Sequence, residues 1–142
     1  MKKIIILILS ITLLCGCTKI DNNNVDQIIN KIISSKNNNA NQYKNGYKFY
    51  LPSNIIIDKI NDRNIVFKEN NIKYYMFVDI VSYYYKVENS YKIKDNAYMS
   101  KLINYDNKSG YIEINVKNNQ YLIEIMYNYA KIEVIVDSND IA

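Results

Sequence analysis

Three stretches near the C-terminus decide the fold: Tyr111-Ile112-Glu113-Ile114-Asn115-Val116, Tyr121-Leu122-Ile123-Glu124-Ile125-Met126-Tyr127, and AKIEVIV over 130–136. Each carries apolar residues at every second position, the period of a strand with one buried face. Asn118-Asn119 separates the first two, and Asn tolerates positive φ, so a two-residue hairpin loop is predicted there. That loop sets Val116 opposite Tyr121, Ile114 opposite Ile123 and Ile112 opposite Ile125. A second two-residue loop at Asn128-Tyr129 sets Ile125 opposite Ile132 and Ile123 opposite Val134. Slipping either hairpin by one residue would mix apolar and polar faces, so the pattern fixes the register of a three-stranded meander.

The same register lines up Glu113, Glu124 and Glu133 on the other face, one per strand. Neighbouring strands lie about 4.8 Å apart, and like charges directly opposite one another destabilise a sheet. Read as chemistry, the row is a cation site or a contact for a basic partner. Read as structure, it is a solvated row relieved by Lys131 and Lys117. Hard cations prefer about six to eight oxygens and only three carboxylates are in view, which favours the structural reading.

Working outward, Tyr47-Lys48-Phe49-Tyr50-Leu51 alternates until Pro52 removes a ladder donor. Segments 54–60 and 64–68 are further strand candidates. Lys73 to Lys86 is β-branched and aromatic throughout and reads as one long strand or two with a bend. Ala97 to Asn104 is another strand, followed by a turn over 105–110. Upstream, Val25, Ile28, Ile29, Ile32 and Ile33 recur at the spacing of one helical face. A helix over 25–35 is expected, with Asn24 as N-cap and Asp26 at the positive end of its dipole; residues 36–45 read as a polar loop. The 142 residues allow one domain. The fold class is therefore α+β: a mostly antiparallel sheet with an N-terminal amphipathic helix, in a single domain over 25–142.

One helix about 16 Å long and 10 Å wide cannot cover six or seven strands spanning about 30 Å. The sequence ends Asp137-Ser138-Asn139-Asp140-Ile141-Ala142, which reads as an N-cap and the first turn of a helix. A second, C-terminal covering helix is therefore expected, missing from this sequence or supplied by a partner. A sheet that curls over itself into a partial barrel is the alternative.

The front of the chain carries a different kind of signal. Met1-Lys2-Lys3 is followed by an apolar run from Ile4 to Leu14, interrupted only by Ser10 and Thr12. At about 1.5 Å per residue this run reaches only about half of a hydrocarbon core. A basic start and a short apolar run are the layout of a secretory signal peptide. Leu14-Cys15-Gly16-Cys17 then resembles the lipobox of bacterial lipoproteins. The resemblance implies cleavage after residue 16, diacylglycerol on the Cys17 thiol, a tether over 17–24 and a place on the extracytoplasmic face of the cell membrane, in contact with its lipid. Cys15 departs from the usual small Ala or Ser at its position. Cleavage takes Lys2 and Lys3 away, so the net charge falls from +4 to +2. No electrostatic case for nucleic acid remains.

Catalytic chemistry is narrowed by what the chain lacks. With no His there is no His-based triad, His general base or imidazole metal ligand. The mature chain keeps only Gly46 and Gly110, too few for a phosphate-cradling loop. Asp58, Asp62, Asp79 and the three Glu leave open a carboxylate-dependent hydrolase, glycosidase-like in its chemistry. The favoured reading is a binding or scaffolding domain without a cofactor. Its candidate binding residues are Tyr83 and Tyr85, within an aromatic set that could hold envelope glycan or protein. Against that set stands the composition: Ile, Asn, Lys and Tyr, all with A- and T-rich codons, make up more than half of the chain. Strands favour Tyr in any case. Gly46-Tyr47-Lys48-Phe49-Tyr50-Leu51-Pro52-Ser53 resembles the first strand of small α+β proteins of the PsbP and Mog1 type. That likeness implies helices packed on an antiparallel sheet and transfers no functional residue.

Overall fold

A computed structural model describes residues 20, 22–35, 39–88 and 90–137. The expected leader over 1–16, Cys17 and the helix start expected after Asp137 lie outside the described residues. The elements in chain order are helix α1 (Asn22–Ser34), strands β1 (Gln42–Lys44), β2 (Tyr47–Phe49), β3 (Ile56–Ile60), β4 (Asn64–Glu69) and β5 (Ile72–Val78), the short helix α2 (Ile80–Tyr85), then β6 (Met99–Tyr105), β7 (Lys108–Lys117), β8 (Gln120–Tyr127) and β9 (Ala130–Asp137). Seven strands form one antiparallel sheet in the order β3-β4-β5-β9-β8-β7-β6. Two meanders, β3-β4-β5 and β6-β7-β8-β9, are thus joined where β5 pairs with β9.

The C-terminal meander has the register the alternation dictates. Val116 pairs with Tyr121, Ile114 with Ile123, and Ile112 with Ile125. Ile125 pairs with Ile132 and Ile123 with Val134. Asn118 and Asn119 both have positive φ, at 52° and 62°, which matches the right-handed twist of the strands they join. β6 extends this meander to four strands. Its link to β7 is tighter than the six-residue turn expected over 105–110. Asp106 and Asn107, at φ 48° and 57°, make the turn alone, and Lys108, Ser109 and Gly110 already belong to β7. Gly110 is needed there because a Cβ would sit 2.0 Å from the Met126 carbonyl oxygen on β8.

One face of the sheet holds the core. Met99, Ile103, Ile112, Ile114 and Tyr121 are buried together, and Ile114 is only 2% exposed. Helix α1 covers this half by laying down Val25, Ile29 and Ile33, every fourth residue, while Ile28 and Ile32 lie on its exposed flank. Lys101 Nζ on β6 pins the helix by pairing with Asp26 Oδ2 at 2.6 Å. Over the other half lies the β1–β2 hairpin. Phe49 packs edge-on against Phe67 of β4, with ring centroids 5.7 Å apart. The Tyr47 hydroxyl donates to the Asp62 carbonyl. The second cover observed is therefore a hairpin, part of which falls in the segment expected to be a loop over 36–45.

The largest departure from expectation lies in the aromatic stretch 73–86. The strand ends at Val78, and residues 80–85 are helical. The physical cause is Asp79. Its Oδ1 accepts the Ser82 backbone N–H at 3.0 Å and its Oδ2 accepts the Ser82 hydroxyl at 2.8 Å, the bonding of an N-cap. Lys86 closes the helix in the left-handed region, φ 49° and ψ 42°. β propensity summed over the stretch misses this because one capping side chain outweighs it locally.

Candidate functional site

The carboxylate row assembles as the register requires: Glu113 pairs with Glu124 and Glu124 with Glu133. Its oxygens are already occupied. Glu113, 6% exposed, accepts from Lys94 Nζ at 2.9 Å, from the Tyr91 hydroxyl at 2.6 Å and from Asn115 Nδ2 at 2.7 Å. Glu124 accepts from the Tyr111 hydroxyl and, at 3.4 Å, from Lys131 Nζ, which also reaches Glu133 at 2.7 Å. Burial pushes the Glu113 carboxyl up, but the bonds from Lys94, Tyr91 and Asn115 outweigh it and hold it at about 2. Lys131 likewise holds Glu133 below its ordinary value. Burial and the neighbouring Glu124 raise the Tyr111 hydroxyl, so it stays a donor.

Relief of the row therefore comes from Lys131 and from the loop 90–98, whose Tyr91 and Lys94 reach over this face. Within that loop Tyr91 stacks on Tyr111, centroids 3.7 Å apart and rings 8° from parallel. The Lys94 backbone N–H is held by the Ser100 hydroxyl. Lys117 stands four residues along β7 from Glu113, about 13 Å away, and pairs in register with Gln120 instead. Among the described residues no group of three or more Cys, Asp or Glu is placed to hold a metal ion.

The opposite situation holds at one end of the sheet, where the β6–β7 and β8–β9 turns meet α2. The Asp79 backbone N–H donates to the Tyr129 carbonyl at 2.9 Å, which seats α2 on the β8–β9 turn. Tyr83 packs edge-on against both Tyr84 and Tyr129, at 5.6 and 5.7 Å. Successive helical residues diverge by about 100°, so Tyr83, Tyr84 and Tyr85 fan outward instead of alternating across a strand. They are 58%, 75% and 79% exposed. Ser82 binds the Asp79 carboxylate through backbone and side chain and lowers its pKa, so the cap is charged down to acidic pH.

Next to this aromatic fan the two turns are braced against each other. The Asn128 backbone N–H donates to the Ser109 carbonyl at 2.8 Å, and the Tyr127 hydroxyl donates to the Tyr105 carbonyl at 3.2 Å. Between the turns and the exit of α2 lies an open concavity of about 590 Å³, within the range of small-ligand sites. Tyr105 and Tyr129 form aromatic walls, and Asn104, Asp106, Asn107 and Asn128 supply polar groups. Among the described residues, none of those four polar side chains is taken up by an internal hydrogen bond or ion pair.

The structure thus sets the expected residues apart. The three Glu stand together but bound to partners, Tyr83 and Tyr85 are exposed on a helix, and Cys17 is outside the described residues. Asn104, Asp106, Asn107 and Asn128 were not singled out by the sequence. Their signal was present as turn-forming residues flanking the strands, and Asn is so frequent in this chain that it carries little weight. No protein-family model matches the chain, and no curated protein and no solved structure matches it significantly.

Proposed function

We propose that the chain is a membrane-anchored envelope lipoprotein whose α+β domain binds envelope material and does not catalyse. The observation that carries the anchoring is the sequence Leu14-Cys15-Gly16-Cys17 behind a short basic and apolar leader. Two acyl chains on one residue hold a protein stably at a bilayer, so the domain itself needs no hydrophobic anchor. Among the described residues no helix is long and apolar enough to cross a membrane.

The packing of Ile20 bears on how such an anchored domain would stand. Ile20 packs against the core cluster, and its carbonyl accepts from the Tyr98 hydroxyl at 3.3 Å. The expected tether over 17–24 is thereby shortened, since α1 already begins at Asn22. Three residues from Cys17 to Ile20 reach at most about 11 Å. Tyr98 packs on Tyr121, at the Asn118-Asn119 end of the sheet. From there β8 runs about 24 Å to Tyr127. An anchor at Cys17 would hold the Asn118-Asn119 end at the bilayer and turn α2 and the concavity beside it outward.

Two measurements test the reading. Cells fed labelled palmitate should yield a labelled, membrane-bound protein, and Cys17→Ser should remove both label and membrane association. A full-length cytosolic product without label would end the proposal. Tyr83→Ala with Tyr85→Ala should leave the circular-dichroism spectrum unchanged and weaken capture of envelope material.

A further inference from the structure

We infer that the concavity between the β6–β7 and β8–β9 turns is a binding site for a neutral saccharide. The inference rests on the binding role proposed above and names the class of ligand. A solvated polar side chain without an internal partner can exchange its water for a ligand at a small net gain, whereas one bonded inside the fold must first give up that bond. Asn104, Asn107 and Asn128 offer amides that can donate and accept at once, and Asp106 adds a pure acceptor. Pairs of sugar hydroxyls, each both donor and acceptor, match that inventory.

The two turns are also preorganised. Asp106, Asn107 and Asn128 all sit at positive φ, between 48° and 58°, in turns braced by the Asn128–Ser109 and Tyr127–Tyr105 bonds. Ordering a loop on binding costs free energy, and here the loops are ordered beforehand. Tyr105 and Tyr129 line the concavity with rigid aromatic rings, the kind of group that packs on the apolar C–H face of a sugar ring. Charge decides against the competing classes. Glu88 and Asp106 outnumber Lys108 at the rim, which disfavours phosphate-bearing polymers. A peptide would seek apolar pockets for its side chains, and Val87 is the one aliphatic residue lining this site.

The test uses the processed, lipidated chain from Cys17 onward in nanodiscs, titrated calorimetrically with N-acetylglucosamine tetramer, glucose tetramer, inorganic polyphosphate and an uncharged tetrapeptide. At least one neutral tetramer should bind, and polyphosphate should not. Asn107→Gly together with Asn128→Gly keeps both left-handed turns while deleting two amides, and should weaken binding about tenfold. Tyr129→Phe should retain affinity and Tyr129→Leu should lose it. The inference is overturned if neither sugar binds, if the Gly variants bind as tightly as the parent, or if the peptide or polyphosphate is preferred. If sugars fail while Tyr83→Ala with Tyr85→Ala still weakens capture of envelope material, the ligand class is wrong and the binding role stands.

Discussion

Two polar regions of this sheet differ in what their side chains already do. Along the middle of the strands, Glu113, Glu124 and Glu133 stand opposite one another, an arrangement that would repel. Lys94, Lys131, Tyr91, Tyr111 and Asn115 occupy their oxygens. At the turn end, Asn104, Asp106, Asn107 and Asn128 crowd together with side chains that have no internal partner among the described residues. A row of like charges catches the eye in a sequence, yet it is fully used by the fold. The inconspicuous Asn cluster is what the fold leaves open.

Both regions depend on the pairing of β7 with β8, and disturbing it should have the largest effect. Gly110 faces Tyr127 across the β7–β8 ladder, and a Cβ there would lie 2.0 Å from the Met126 oxygen and 2.8 Å from the Tyr127 Cα. Both are backbone atoms, so relief requires the strands to part. Gly110→Ala should cost at least about 3 kcal/mol in urea unfolding, the upper range for overpacking. Ile114→Ala, in the core beneath the Glu row, should cost about 2–5 kcal/mol through the cavity it leaves. Parent-like stability in Gly110→Ala would mean the two strands do not approach as described.

The Glu row should show its structural role through pH. The Glu113 carboxyl is held at about 2, below the ordinary carboxylate range, so its contribution is full above the unfolded value. It is lost as pH falls through the window from the unfolded value near 4.5 to about 2. Stability should therefore drop between pH 5 and about pH 2 in the parent, and less steeply in Glu113→Gln. Glu113→Ala should cost about 1–3 kcal/mol at neutral pH, because the Tyr91 hydroxyl and Lys94 lose their acceptor. A flat pH profile in the parent, from chemical denaturation at each pH, would remove the contrast between the two regions. A smaller effect belongs to Asp79. Asp79→Ala should cost about 1 kcal/mol by uncapping α2, and a helix of six residues without its cap should fray and release Tyr83 from Tyr129. Quenching of tyrosine fluorescence reports that release.

How much of this was legible beforehand depended on the range of the interaction. The meander pairs Ile114 with Ile123 and Ile123 with Val134 because alternation and Asn-rich loops are local signals that agree. The Glu row followed from the same register. Its relief by Lys131, which pairs with Glu124 and Glu133, followed too, but the cover of Glu113 did not, because Lys94 and Tyr91 come from a loop 19 and 22 residues away in sequence. Asp79 was in plain view, but strand propensity in the surrounding Tyr and Val residues hid its capping role. The cover by Phe49 on Phe67 depends on tertiary packing that no periodicity encodes. The concavity depends on two hairpin turns lying side by side, a product of sheet order.

The smallest expected effect on stability is the most informative for the turn end. Asn107 and Asn128 hold φ of 57° and 58° and use no side-chain bond to do so. Glycine adopts that conformation without steric cost, though it adds freedom to the unfolded chain. Asn107→Gly and Asn128→Gly should therefore each change stability by no more than about 0.5 kcal/mol. If either substitution costs as much as Glu113→Ala, its amide is structural, and the turn end has consumed its polar groups as the Glu row has. If both are neutral in unfolding while ligand affinity falls, the side chains serve nothing inside the domain and something outside it.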